Sequence, residues 1–255
     1  MSKLVKKLDA ILYPRFASHW DDETFRAEIL KHLSPSAQVL DLGAGAGVVS
    51  QMNFRGLAAR VCGVDLDPRV VHNAYLDEAR IAAGESIPYG DQSFDVVFAD
   101  NVLEHLAEPE QVFREACRVL KPGGVFLVKT PNKWHYVPLI ARFTPHWFHA
   151  LVNRLRGRAS QDTFPTLYRA NTPSAVAKIA ASSELEVVSV NLTEGRPEYL
   201  RLTWPTYLAG WAYERLVNLT PGLDRFRVVM TATFRKPDVV AYPALESTSK
   251  PAAAA

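Results

Sequence analysis

Three glycines and an aspartate are the first residues whose types and spacing could do chemistry. Asp41 lies in an apolar run, and Gly43, Gly45 and Gly47 follow it at alternate positions. Glycines there remove side chains where the chain turns tightly and where the backbone must approach a ligand. The dinucleotide fingerprint GxGxxG would need a glycine at position 48, where this chain has Val48. The spacing predicts a ligand-binding loop, and an unliganded turn is the alternative.

A second acidic residue lies where a bound nucleoside would need it. Asp65 ends the next apolar run, roughly 20 residues after the glycine loop. A carboxylate at the end of that strand can accept hydrogen bonds from both ribose hydroxyls, so we predict Asp65 as the ribose ligand. Asp67 precedes Pro68, the pattern of a helix N-cap, which favours a structural role for Asp67.

Three residues further along the chain could supply acid–base chemistry. His105 follows the fourth predicted strand, and His135 and Tyr136 follow the fifth. Open α/β sheets bind ligands at the carboxyl ends of their strands, and a positioned base typically accelerates proton removal by roughly 10²–10⁴-fold. These three residues are the catalytic candidates, with His105 first. A role for Glu104 and His105 in the ligand pocket or in helix capping is the alternative.

The elements that must position these residues alternate along the chain. Apolar strands are predicted near 37–42, 60–64, 79–82, 94–99, 124–129, 185–192 and 227–235, and helices near 46–55, 68–77, 108–120 and 173–183. Alternation of this kind predicts βαβ units, a mostly parallel sheet and an α/β fold with helices on both faces. The predicted organisation is a helical cap over 1–35, a main domain over 36–237 and a disordered tail over 238–255, with insertions at 133–171 and 197–222.

The ordered motifs resemble class I methyltransferases, and specifically the methyltransferase type 11 family that includes ubiquinone-pathway enzymes. The resemblance covers about 37–131 and includes the glycine loop, Asp65, the stretch from Glu85 to Val97 and Pro122-Gly123-Gly124. It implies a Rossmann-like seven-stranded sheet, S-adenosylmethionine (SAM) as cofactor and S-adenosylhomocysteine as product. The implied cofactor residues are Asp41, Gly43, Ala44, Gly45, Gly47, Asp65, Leu66, Gly84, Glu85, Asp100 and Asn101. Where relatives often carry an acidic adenine contact, this chain has Ala83.

We expect the insertions to determine which methyl acceptor binds, because the ends of the strands are predicted to bind SAM. Residues 133–170 are rich in arginine, histidine and aromatic side chains and contain a single acid, Asp162. This composition suits an amphiphilic acceptor with an acidic group, or peripheral contact between this lid and an anionic membrane. Aromatic packing of the lid against the core is the alternative. We expect O-methylation of a sugar or lipid-linked intermediate, ahead of C- or N-methylation of a quinone-like or other small molecule.

Composition limits the competing functions. The chain has 255 residues, 48% of them hydrophobic and 22% charged, and a net charge of +2, so net charge alone gives no argument for nucleic-acid binding. The two cysteines form no zinc-type cluster, and we predict no metal. We also expect a cytoplasmic protein without a signal peptide or spanning helix, peripheral at most to the inner face of a membrane. A nicotinamide-dependent dehydrogenase, a nucleic-acid methyltransferase and a noncatalytic SAM-binding protein remain alternatives.

Overall fold

A seven-stranded sheet runs through the computed structural model, which describes residues 3–14, 19–143 and 165–238. The strands are β1 (Gln38–Leu42), β2 (Arg60–Asp65), β3 (Glu78–Ile81), β4 (Phe94–Asp100), β5 (Leu120–Pro131), β6 (Glu186–Thr193) and β7 (Val229–Arg235). Their order is β3-β2-β1-β4-β5-β7-β6, parallel from β3 to β5, with β7 antiparallel to both neighbours. The predicted Rossmann-like, mostly parallel α/β sheet is confirmed.

Helices cover both faces of this sheet. They are α1 (Lys3–Leu12), α2 (Trp20–Leu30), α3 (Pro109–Val119), α4 (Tyr136–Phe143), α5 (Pro173–Ala181) and α6 (Trp204–Leu219). Because side chains alternate along a strand, Leu40 of β1 packs in the core on the side of α3 and α5, while Val39 packs on the side of α2. The central strands β1, β2, β4 and β5 are mostly buried on both faces, as parallel strands usually are.

Two of the helices predicted from the sequence do not form. Within 46–55 and 68–77 the structure has only the 3-10 turns Ser50–Met52 and Pro68–His72. The second turn stops because the Asn73 side chain accepts a hydrogen bond from the Tyr75 amide at 2.9 Å, an Asx-type bond that competes with helix continuation. Asp67 caps this turn by accepting from the Arg69 amide, as its sequence position indicated.

Helix α2 covers the face that these short turns leave open. Its Phe25 and Ile29 pack in one cluster with Met52 and Val70 from the two 3-10 turns and with Phe98 of β4. The Phe25 and Phe98 rings meet edge-on with centroids 6.5 Å apart. A segment placed before the first strand therefore supplies helix packing on this face of the sheet.

The predicted division into a cap, a main domain and a tail stays a prediction. Residues 144–164 of the first insertion and 239–255 of the tail lie outside the described residues. The second insertion, 197–222, contains α6. Within the described ranges, no helix has both the length and the apolar character needed to cross a bilayer.

Candidate cofactor and acceptor site

The glycine loop follows β1 at the carboxyl edge of the parallel strands. Gly43, Gly45 and Gly47 have φ angles of 82°, 50° and 71°, in the left-handed region that favours glycine. A Cβ on Gly43 would lie 2.3 Å from Val102 Cγ2, so only glycine lets the turn after β4 pack this closely against the loop. The sequence-predicted loop therefore has the backbone and the packing that require glycine at this point.

Two backbone amides hold the Asp65 side chain against the glycine loop. One carboxylate oxygen accepts from the Gly45 amide at 2.8 Å, and the other accepts from the Asp67 amide at 2.8 Å. Each carboxylate oxygen has two lone-pair directions, so both can still accept a hydroxyl. The two predicted parts of the nucleoside site, the loop and Asp65, are brought into direct contact.

Asn73 is a loop-supporting residue that sequence reasoning missed. Its side-chain amide donates to the carbonyl of Ala44 at 2.9 Å and to that of Gly45 at 3.3 Å. A Cβ on Gly47 would lie 2.3 Å from Asn73 Oδ1, so glycine at 47 makes room for this support. An asparagine just after a proline-initiated turn was the available signal, because it marks an Asx turn.

Three carboxyl groups, those of Asp41, Asp65 and Asp100, lie near one another at the ends of β1, β2 and β4. Asp41 is buried, and burial raises its pKa well above the usual range, with further increases from the charges of Asp100 and Asp65. Burial also raises the pKa of Asp100 to about 6, although the nearby Lys129 opposes this shift. The arrangement concentrates acidic side chains at the point where β1, β2 and β4 end, and a cationic ligand would favour their ionised forms.

Lys129 ties this acidic edge to helix α2. The side chain is completely buried at the end of β5, with Nζ 2.9 Å from Asp100 Oδ1 and in contact with Asp21 and Asp22 of α2. Burial alone would lower the lysine pKa, but the three carboxylates outweigh it and raise the pKa above its ordinary value. Lys129 was not predicted from sequence, where it reads as one residue of an apolar strand.

The residues predicted to contact the nucleobase offer exposed and backbone groups. Leu66, directly after Asp65, is 71% exposed and offers an apolar surface beside the ribose position. Gly84 lies near β1, where an added Cβ would be 3.3 Å from Leu42. The Glu85 carbonyl accepts from Gln111 of α3 at 3.3 Å. The predicted residues Leu66, Gly84 and Glu85 thus follow β2 and β3, on the side of the sheet where Asp65 lies.

The turn after β4 holds Asn101, Glu104 and His105 in different roles. Asn101 adopts φ 54° and donates from its side chain to Asp100 at 2.9 Å. Glu104 is buried, accepts from Thr130 at 2.9 Å and has a pKa raised by burial. The Glu104 backbone carbonyl accepts from the amides of Leu167 and Tyr168, so Glu104 fastens the returning chain.

His105 has its tautomer set by the same returning chain. Nδ1 lies 2.8 Å from the Pro165 carbonyl oxygen, which can only accept a hydrogen bond. The proton therefore sits on Nδ1 and the lone pair on Nε2, the arrangement that a base requires. Glu104 Oε1 lies 3.9 Å from Nε2.

His135 and Tyr136 belong to a buried cluster near the ends of β5 and β6. Their rings are 4.0 Å apart, and His135 Nε2 lies 3.6 Å from Glu194 Oε2, with neither atom otherwise hydrogen-bonded. Burial lowers the His135 pKa to about 3 and raises the Glu194 pKa to about 8. Glu194 was missed, although an acidic residue directly after a predicted strand was a usable signal.

Two separate groups therefore emerge from the predicted site residues. The glycine loop, Asp65, Asp41 and Asp100 form one at the ends of β1, β2 and β4. His135 and Tyr136 form the other, with Glu194, which was not predicted, beside His135. Within the ranges that the structure describes, no three metal-binding side chains are grouped as a metal site, and both cysteines are buried thiols.

Comparison with known proteins finds relatives of the part of the chain that carries the first group. Residues 40–128 match the family model described as a methyltransferase domain. A Mycolicibacterium smegmatis protein named as a probable S-adenosylmethionine-dependent methyltransferase is 37% identical over 120 residues, which are 46% of this chain and 46% of that protein. A ubiquinone biosynthesis O-methyltransferase of Methylobacterium sp. is 35% identical over 103 residues, covering 37% of this chain and 41% of the relative. The chain spans less than half the length of these relatives.

The fold of the whole described chain has solved counterparts. Geranyl diphosphate C-methyltransferase from Streptomyces coelicolor, solved with Mg²⁺, geranyl diphosphate and S-adenosylhomocysteine, superposes with a TM-score of 0.54 at 16% identity, covering 92% of this chain and 85% of that chain. At this identity the likeness concerns the fold. The sequence matches support SAM as the cofactor. Residues 40–128 are thus a methyltransferase domain of this family, set within a class I methyltransferase fold.

Proposed function

We propose that this protein is a SAM-dependent methyltransferase that methylates a hydroxyl of a small or amphiphilic acceptor. The observation that carries the proposal is the contact between the Gly45 amide and Asp65 beside the buried carboxylates Asp41 and Asp100. SAM contains a ribose, a sulfonium and an ammonium group. Asp65 suits the ribose, and the acidic edge suits the two cationic groups.

The remaining predicted cofactor residues fit the rest of SAM. The backbone of Gly43, Ala44 and Gly47 would lie along the methionine part, and Leu66 with the chain at Gly84 and Glu85 would contact the adenine. Asn101, held in a left-handed conformation beside Asp100, presents its backbone at the same edge. Bound SAM supplies an activated methyl group that leaves a sulfonium by in-line displacement, so the protein has to align the acceptor and exclude water.

His105 is the proposed proton acceptor. Its Nδ1–H donates to Pro165, so Nε2 is the basic nitrogen. His135 is the weaker candidate, because its Nδ1 accepts from the Val137 amide at 3.4 Å and its proton therefore lies on Nε2, towards Glu194. We assign His135 and Tyr136 to the wall of the acceptor pocket.

An O-linked acceptor is favoured over an N-linked one by the presence of this base. Removal of a hydroxyl proton needs an acceptor group, whereas an amine with a lone pair does not. The relative named for ubiquinone biosynthesis is also an O-methyltransferase. Whether the acceptor is a sugar, a lipid-linked intermediate or a quinone-like molecule depends on the insertions, and contact between the lid and a membrane stays a prediction because 144–164 lie outside the described residues.

The test is methyl transfer from radiolabelled SAM to fractionated envelope extract, followed by mass spectrometry of the labelled product. We expect a methyl ether, and we expect His105→Gln to lower kcat by roughly 10²–10⁴-fold with little change in SAM affinity. An active His105→Ala variant with unchanged pH dependence would remove His105 as the base. Tight SAM binding without transfer to any fraction would instead favour a noncatalytic SAM-binding protein.

A further inference from the structure

Helix α6 exposes an apolar stripe along its whole length. Its buried side consists of Tyr207, Gly210, Glu214 and Val217. The opposite side carries the exposed residues Trp204, Leu208, Leu216 and Leu219, and Trp204 and Leu219 are 53% and 76% exposed. Sixteen helical residues span roughly 24 Å, so the stripe is long enough to be a surface rather than an isolated apolar side chain.

Helix α1 lies beside α6 and extends this surface. Val5 and Tyr13 pack against Tyr207 in a small core, and the Tyr13 and Tyr207 rings meet edge-on at 6.3 Å. The outer residues Leu4 and Ile11 are 49% and 62% exposed. Two adjacent helices therefore present exposed aliphatic and aromatic side chains.

The acids of the two helices are turned inward. Asp9 of α1 accepts from Tyr207 at 2.8 Å and pairs with Arg201. Glu214 of α6 accepts from Tyr13 at 3.0 Å and from Asn218 at 2.6 Å. The exposed charged residues of α1 and α6 are Lys3, Lys6, Lys7 and Arg215, which are all cationic. The surface combines apolar side chains with positive charge and has no exposed carboxylate.

We propose that α1 and α6 form a docking face for an anionic lipid bilayer. Lysines attract anionic headgroups, the aliphatic side chains enter the acyl boundary, and Trp204 suits the interface between the two. A second copy of the chain fits less well, because a symmetric contact through this face would bring the lysines of both copies together. The proposal stands on this surface and does not depend on methyl transfer.

Vesicle flotation tests the docking face. The full chain is mixed with vesicles of phosphatidylcholine alone, or of phosphatidylcholine with phosphatidylglycerol, at low and high salt. We expect flotation with the anionic vesicles, weakened by salt. The double variant Lys6→Glu/Lys7→Glu should weaken partitioning by at least roughly tenfold, because each basic residue near an anionic membrane surface adds to the free energy of binding. Trp204→Ser/Leu216→Ser should weaken it comparably.

Matched variants separate this face from general effects of charge and hydrophobicity. Arg114→Glu/Lys178→Glu makes the same charge change at exposed positions of α3 and α5, and Val187→Ser/Val188→Ser removes exposed apolar side chains from β6. Both should float like the unmodified chain, and circular dichroism should show all four variants folded. Failure of the unmodified chain to bind anionic vesicles at low salt would overturn the proposal. Equal losses of vesicle binding in the control variants would also overturn it. So would a chain that does not bind vesicles but forms a dimer that Leu216→Ser dissociates.

Discussion

The two ends of the carboxyl edge are built in different ways. Over β1, β2 and β4 the predicted cofactor site is built around a backbone loop, with left-handed glycines, amides that fix Asp65, and carbonyls held by Asn73. Over β5 and β6 the edge consists of buried side chains, with His135 against Tyr136 and Glu194. A site made of backbone fixes one ligand through the fold itself, whereas a site made of side chains can change its ligand by substitution.

The extent of the family match follows the same division. The matched domain spans residues 40–128 and so ends within β5. His135, Glu194 and the helix α6 all lie beyond it. We therefore expect substitutions at the first end to abolish cofactor binding and substitutions at the second end to change stability or acceptor use.

Gly47→Ala should give the largest effect, because it breaks the backbone-built end. The new Cβ would combine a φ of 71° with a position 2.3 Å from Asn73 Oδ1. Strain and the loss of the Asn73 bonds to the loop should weaken SAM binding roughly 30-fold or more. Gly222→Ala is the matched control, since φ is 83° there but no atom lies within 4 Å of the added Cβ. Calorimetry showing equal SAM affinity for the two variants would contradict the loop assignment.

The acidic edge should make SAM binding depend on pH more than S-adenosylhomocysteine binding does. The product lacks the sulfonium charge, and Asp100 has a pKa raised to about 6 by burial. As pH rises from 5 to 7, Asp100 loses its proton, and the affinity ratio of SAM to S-adenosylhomocysteine should rise on the order of tenfold, as unit charges some 10 Å apart would give. Asp100→Asn should flatten this ratio. A ratio that stays constant with pH in the unmodified protein would show that Asp100 does not face the sulfonium.

Glu194 should give a smaller effect, on stability alone. Burial and the nearby charge of Glu214 raise its pKa to about 8, and Arg227 opposes this shift. The folded protein then keeps a proton that the unfolded chain has lost, so stability falls as pH rises through the window from the ordinary glutamate pKa to about 8. Between pH 7 and 8 the loss should be roughly 1 kcal/mol.

Glu194→Gln should remove this part of the pH dependence, measured by urea unfolding at each pH. Glu198→Gln, which changes an ion-paired residue close by, should retain it. His135 does not contribute to the pH dependence above pH 7. Burial lowers its pKa to about 3, so it changes stability only at the lower pH at which the histidine of the unfolded chain gains a proton. If the free energy of unfolding changed with pH equally in the unmodified chain and in Glu194→Gln, the group that titrates would not be Glu194.

The strand pattern and the ligand loop could be predicted because they depend on local rules. Alternating apolar runs define strands, and Gly43, Gly45 and Gly47 mark the backbone turns. The helices expected at 46–55 and 68–77 were wrong because the side chains of Asn53 and Asn73 accept hydrogen bonds from the amides of Arg55 and Tyr75 instead of allowing a helix to continue. Propensity does not reveal that competition.

Contacts between distant segments could not be predicted from the sequence. Lys129 meets Asp21 and Asp22 from a helix more than a hundred residues earlier, and His135 meets Glu194, which follows β6. Such pairs depend on tertiary packing, which brings together residues that no spacing rule connects. Glu104 shows the same limit, because its role comes from Thr130 and from the chain at Leu167 and Tyr168.

Calorimetric titration with SAM of the unmodified protein, Asp65→Ala and Asp67→Ala tests the central claim most directly. Asp65 is the proposed ribose ligand, whereas Asp67 caps a 3-10 turn two residues later. We predict SAM and S-adenosylhomocysteine binding by the unmodified protein, loss of binding in Asp65→Ala, and nearly unchanged binding in Asp67→Ala. Absence of binding to either ligand by the folded unmodified protein would contradict the account.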